Sequence, residues 1–199
     1  MRIQKTASGL FMLFFFGCTE IGPVITPLEP GAPGGGQSAT QTVLIEEFSG
    51  VRCVNCPAGS AELEQLAKTY PGRLVVVSIH AGFFSNPYAE NQYDFRTAEG
   101  NSLINLLGQP LGYPSAVINR KKFEGETDLQ LSRSQWAGFI AQELNRTPTV
   151  DLKVTSSFNA GNRELRAEVD VKRLENLADP ASLKLSVFLT ENDILDTQL

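Results

Sequence analysis

The chain has 199 residues, 42% of them hydrophobic and 20% charged, with a formal net charge of -5. That composition suits one good core plus a smaller unit, and rules out a collagenous, low-complexity or wholly disordered chain. Arg2 and Lys5 are the only charges in the first 17 residues, so the chain from Cys18 onward carries -7. A moderately acidic surface argues against nucleic acid as a partner.

The N-terminus reads as a targeting segment. Arg2 and Lys5 form a positive start, and Leu10 to Phe16 is a strongly apolar run too short to span a bilayer. Gly17-Cys18 follows. A small residue directly before a cysteine, after such a run, resembles a bacterial lipoprotein signal. On that reading residues 1–17 are removed, Cys18 carries the lipid and the protein is held at a membrane of the cell envelope, the outer membrane being expected. Export puts it where disulfides form and persist. Residues 18–41 are rich in Pro and Gly, with Gly34-Gly35-Gly36 in the middle, and read as a tether.

Thr42 to Tyr70 carries the strongest chemical signal. Val43, Leu44, Ile45 and Phe48 make a short apolar run of strand length, which Ser49-Gly50 ends. Cys53 and Cys56 follow. Ala58, Ala61, Leu63, Leu66 and Ala67 then recur at helical spacing, and Pro57 suits a first helical turn. The cysteines are therefore expected at a helix N-terminus, Cys53 the more exposed. Unpaired N–H groups and the positive dipole end favour a thiolate there, and Arg52 adds a cation.

Pro71-Gly72 ends the helical pattern. Arg73 to Ile79 is a β-branched run of the kind found in strands buried on both faces, closed by His80-Ala81-Gly82. Phe83 to Arg96 reads as a long loop or partly helical insertion. Ser102 to Leu107 reads as a short helix ended by Gly108. Ser115 to Asn119 is a strand after the turn at Tyr113-Pro114, and 120–125 is a candidate hairpin return. A helix capped by Ser132 or Ser134 runs to about Asn145, with Trp136, Phe139, Ile140 and Leu144 on one face. From Thr149 three alternating runs, around Val150–Val154, Leu165–Val171 and Leu183–Leu189, predict an antiparallel meander with one buried face. Three such strands would leave an apolar face and an edge uncovered, so the region 149–199 is expected to be part of a larger sandwich-like unit.

The order strand, CxxC-helix, strand, helix, X-Pro-strand, hairpin, helix over residues 42–148 resembles the thioredoxin fold. The resemblance implies an α/β, three-layer domain. It also implies a cis bond before Pro114, which would lie against the CxxC pair, and a buried acid at Glu47 that handles the proton of Cys56. Arg52 stands where the family has Trp, Val54-Asn55 replaces its Gly-Pro, and Glu replaces its Asp at position 47. The stretches EEFSGVRCVNCP, VVVSIHAG and GYPSAVINR, with the lipoprotein-type Cys18 and the tether, are similar to a family named for a twenty-eight-kilodalton bacterial outer-membrane protein. That similarity implies a fold and an envelope location more than an activity.

Three readings fit Cys53 and Cys56. In the first, Cys53 attacks a disulfide of an exported protein and Cys56 resolves the product, a thiol:disulfide oxidoreductase needing no cofactor. In the second, the pair is a static bridge in an envelope lipoprotein that binds or scaffolds. The third is half a zinc site, disfavoured because His80 is the only histidine and no second CxxC exists. Glu46 competes with Glu47 for the buried position. His80, at the end of an apolar strand, either orients a substrate or tunes Cys53, or simply bonds a carbonyl. Phe83, Phe84, Tyr88, Tyr93 and Phe95 either line a peptide groove or pack.

Overall fold

In the computed structural model, residues 40–174 and 184–198 are described; the predicted leader, most of the tether and Cys18 lie outside them. The described chain divides into two compact units: a body that carries a four-stranded sheet, and the outer part of a hairpin, 154–168.

The body begins with β1 (Val43–Ser49), whose apolar run is buried almost throughout. A turn leads into α1 (Cys56–Thr69), with Pro57 in the first turn. Tyr70 closes it by donating its N–H to the Leu66 carbonyl, and Gly72 takes the positive φ (70°) needed to turn back. β2 (Leu74–His80) then pairs parallel with β1, from Val43 opposite Leu74 to Ser49 opposite His80. After a single 3-10 turn at Phe83–Ser85 and an irregular stretch comes α2 (Ala98–Leu107). It starts four residues before the predicted Ser102, because Thr97 Oγ1 accepts the Gly100 N–H at 2.9 Å and caps the helix there.

β3 (Ser115–Ile118) pairs antiparallel with β1, and β4 (Leu131–Ser132) antiparallel with β3. The expected hairpin return at 120–125 is absent. Asn119 and Arg120 both adopt positive φ (49° and 50°), which ends the strand, and the return comes only at Leu131. α3 (Arg133–Leu144) follows, its start fixed by the Ser132 N–H donating to Gln135 Oε1 at 2.9 Å. The sheet order is β2-β1-β3-β4.

Strand alternation assigns the two faces. Val43, Ile45, Leu74, Ala116 and Ile118 pack with Leu63 of α1 and with Trp136, Ile140 and Leu144 of α3. Phe48, Val77, Ile79 and Val117 pack with Ile104 and Leu107 of α2. The sheet is thus covered on both faces. Trp136 is fully buried and still satisfied, its indole N–H donating to the Leu131 carbonyl at 3.1 Å.

Beyond the sheet, β5 (Val150–Asn159) and β6 (Glu164–Arg173) form a two-stranded hairpin. Two corrections fall here. Both strands are exposed along nearly their whole length, so the predicted buried face is not formed. Residues 184–189 are not a strand. Their alternation is the right pattern, but no described strand pairs with them, and a strand needs a partner for its backbone groups. In the body, 196–197 instead lies against the irregular stretch: Asp196 accepts N–H groups of Gln92 and Tyr93 at 3.2 and 2.9 Å.

Candidate functional site

The turn between β1 and α1 is built from short backbone bonds. The Cys53 N–H donates to the Gly50 carbonyl at 3.0 Å, and the Cys56 N–H to the Cys53 carbonyl at 3.1 Å. These bring the cysteines into a disulfide with Cα atoms 5.3 Å apart. Cys56 is the first residue of α1 and is fully buried. Cys53 is only 3% exposed, so the predicted difference in exposure is slight. The two residues between them, Val54 and Asn55, are exposed, Val54 at 73%.

Arg52 does not simply stand beside Cys53 as a cation. Its Nε donates to the Asn86 carbonyl and its Nη2 to the Pro87 carbonyl, both at 2.7 Å, and its guanidinium lies 4.4 Å from the Tyr88 ring centroid. Its backbone N–H donates to the Phe84 carbonyl. Arg52 therefore fastens the cysteine turn to the segment 84–88, a task that suits a planar fork with several donors.

Glu47 and Glu46 are both fully buried, on opposite faces of β1. Glu46 is paired: Arg120 donates to it twice, at 2.9 and 2.7 Å. Among the described residues no cation pairs with Glu47. Ser78 Oγ donates to its Oε2 at 2.8 Å, and Ser60 Oγ lies 3.4 Å from its Oε1. Burial pushes the Glu47 carboxyl above the usual carboxylate range, and the two serine hydrogen bonds oppose this only in part. Glu47 also lies beneath the first turn of α1: a Cβ at Gly59 would come 3.2 Å from Oε1 of Glu47 and 2.6 Å from Cγ of Pro114. The Tyr113–Pro114 bond is cis, as the resemblance implies. The CxxC helix, Glu47 and Pro114 therefore meet at Gly59.

His80 sits at the end of β2 opposite Ser49, half buried, its ring centroid 5.0 Å from that of Phe95. Its buried Nδ1 has no hydrogen-bond partner among the described residues. Desolvation holds the imidazole below its ordinary pKa, which favours the neutral ring. No described contact joins it to the cysteines. The aromatic residues pack in part: Phe84 lies 5.2 Å from Tyr113, whose hydroxyl donates to the Ala81 carbonyl at 2.9 Å, whereas Phe83 is 78% exposed.

Sequence reasoning missed Ser60, Ser78 and Gly59. Ser78 had a signal, the one polar residue in the run LVVVSI. Gly59 had another, a glycine in the first turns of a helix where alanine would be favoured. Among the described residues no group of three or more His, Cys, Asp or Glu could hold a metal ion. No described helix is long and apolar enough to cross a membrane.

No family model matches the chain, and no curated protein matches it. Two solved structures are similar. One is a protein of Agrobacterium tumefaciens determined by a structural genomics consortium, 18% identical, TM-score 0.46, covering 68% of this chain and 58% of that one. The other is HBP35 of Porphyromonas gingivalis, 19% identical, TM-score 0.44, covering 60% of this chain and 38% of that one. The chain thus spans less than two thirds of either, and likeness at this level carries no argument about activity.

Proposed function

We propose that the chain is a thioredoxin-like thiol:disulfide oxidoreductase of the bacterial cell envelope, exported and tethered through a lipid on Cys18, with exported proteins as substrates. The observation that carries the reading is the convergence of the Cys53–Cys56 disulfide, buried Glu47 and Pro114 around the first turn of α1. The sheet order and the helices on both its faces support the thioredoxin-like assignment. The Cys18 anchor and the similarity to the twenty-eight-kilodalton outer-membrane family belong to the same proposal and rest on the sequence.

In the reducing direction the chain begins as the dithiol. Cys53, as thiolate at the helix N-terminus, attacks one sulfur of a substrate disulfide; a mixed disulfide forms and a substrate thiolate leaves. Cys56 then gives up its proton, with the Glu47 carboxylate as acceptor, and attacks the Cys53 sulfur. The Cys53–Cys56 bond forms, the second substrate thiolate leaves, and the substrate has gained the two electrons the dithiol lost. Run backwards, the same steps oxidise a substrate dithiol. A carboxyl held above its usual range by burial is suited to exchange a proton with a thiol, because its affinity lies nearer the thiol's.

The near-complete burial of both sulfurs favours the second reading, a static bridge in a binding or structural lipoprotein. One experiment separates them. Cys56→Ser should accumulate exported proteins as mixed disulfides on Cys53, and Cys53→Ser should accumulate few. Equal trapping by both refutes the order of attack. Trapping by neither, with a wild-type bridge that resists mild reductant before alkylation, establishes the static reading.

A further inference from the structure

We propose that the outer edge of β5 pairs with the same edge of a second copy of this chain, about a two-fold axis at Leu152. Four observations lead there. First, the sheet of the hairpin has the order β5-β6, and among the described residues no strand pairs with the outer edge of β5. Second, the Leu174 N–H donates to the Thr149 carbonyl at 2.9 Å. In an antiparallel ladder, alternate residues turn their backbone groups to the partner. The odd-numbered residues of β5 therefore serve β6, while Val150, Leu152 and Val154 turn their N–H and C=O groups outward.

Third, that edge is long and apolar on one face. Leu152 is 55% exposed and Val154 61%. Such an edge is a template for another strand; Pro148 lies before its start, and its charges, Asp151 and Lys153, blunt it only toward a strand that does not match them.

Fourth, the charges of β5 select a partner. When a strand pairs antiparallel with its own copy, one choice fixes the whole register: the residue on the axis. With Leu152 on the axis, Asp151 of each copy faces Lys153 of the other, Val150 faces Val154, and Thr149 faces Thr155. An axis at Asp151 or at Lys153 sets like charges opposite each other. An axis at Val154 sets Lys153 against Thr155 and Asp151 against Ser157, and gains neither pair. Opposite charges facing across strands stabilise a sheet and like charges destabilise it. Counting in from Thr149 and Leu174 also places Lys172 beside Asp151 and Asp170 beside Lys153 in the hairpin. Across the joined four strands the polar row then reads Lys172, Asp151, Lys153 of the second copy, Asp170 of the second copy, alternating in sign throughout.

An edge contact of this length is small beside a standard interface, so the dimer is weak and depends on concentration. The test is sedimentation equilibrium of the full chain in mild detergent across a range of concentrations, with circular dichroism to confirm folding of each variant. Wild type should interconvert between monomer and dimer. Asp151→Lys alone and Lys153→Asp alone should each weaken the dimer roughly tenfold or more, because two attractive cross-strand pairs become repulsive. The fourfold exchange, Asp151→Lys and Lys153→Asp together with Lys172→Asp and Asp170→Lys so that the hairpin's own cross-strand pairs stay opposite in sign, should restore it. A wild-type chain that stays monomeric overturns the proposal; the edge is then left to residues 184–189 or to another protein. A dimer indifferent to the single reversals, or one that the fourfold exchange does not recover, overturns it equally.

Discussion

Gly59 and Pro114 touch where a side chain would not fit: a Cβ on Gly59 would lie 2.6 Å from Cγ of Pro114. Real Cβ contacts do not come so close, and a proline ring cannot swing aside as a long side chain can. The absent side chain is what lets the first turns of α1 lie over the loop before β3. The same approach carries α1 over Glu47, so a single missing methyl group sets the spacing of the candidate site.

Gly59→Ala tests this. On an open helix surface the change would stabilise by about 1 kcal/mol through propensity. Here overpacking opposes it, at typically 1–3 kcal/mol. The second effect should win, giving net destabilisation by on the order of 1 kcal/mol in urea unfolding. A variant more stable than wild type would show that α1 and Pro114 separate without cost.

Much of the body was legible in the sequence, for reasons that differ from residue to residue. The β-branched run of β2, the CxxC at a strand-to-helix turn and Ser132 before an amphipathic stretch are local signals, and each element formed where its signal lay. Glu46 and Glu47 could not be told apart because adjacent strand residues point to opposite faces. Which face holds a cation depends on Arg120, 74 residues away. Arg52 looked like a cation for Cys53 and is instead spent on the carbonyls of Asn86 and Pro87, loop groups with no pattern of their own. The alternating run 184–189 misled for a related reason. Alternation states what a strand would look like, and not whether a partner strand is there.

The Glu46–Arg120 pair should be a large local contributor that a double substitution can expose. Glu46 is fully buried, and Arg120 holds it with two short hydrogen bonds while 28% of its own side chain remains exposed. Arg120→Ala removes both and leaves a buried carboxylate without a cation. Breaking such a pair costs about 3–5 kcal/mol, because desolvation is then uncompensated. The lower end is expected, since water can reach the site Arg120 vacates. Adding Glu46→Leu should recover more than half of the loss, by removing the charge that lost its partner. Denaturant unfolding of the two single variants and the double measures this. If Arg120→Ala alone is neutral, the pair is ornamental to stability.

Glu47 makes a pH dependence with a definite sign. Its folded-state affinity for a proton is raised by burial, above the value in the unfolded chain. Between those two values the folded state binds more protons than the unfolded one, so stability falls as pH rises. The contribution is complete below the ordinary carboxylate range and is lost as pH rises through the folded-state value. His80 works in the other direction. Its folded-state affinity is lowered by desolvation, so stability is lost as pH falls below the ordinary imidazole range. The variant Glu47→Gln keeps an oxygen that can accept from Ser78 and carries no titrating proton. With the Cys53–Cys56 bond kept oxidised, so that no thiol titrates, it should be more stable than wild type at neutral pH. It should also lack the decline on the alkaline side of the carboxylate range, while the loss on acidification due to His80 persists. Urea unfolding across about pH 4 to 9 gives both curves. Parallel curves for wild type and variant would mean that Glu47 is ionised in the folded protein as readily as in the unfolded chain, and would remove the basis for its role as the proton partner of Cys56.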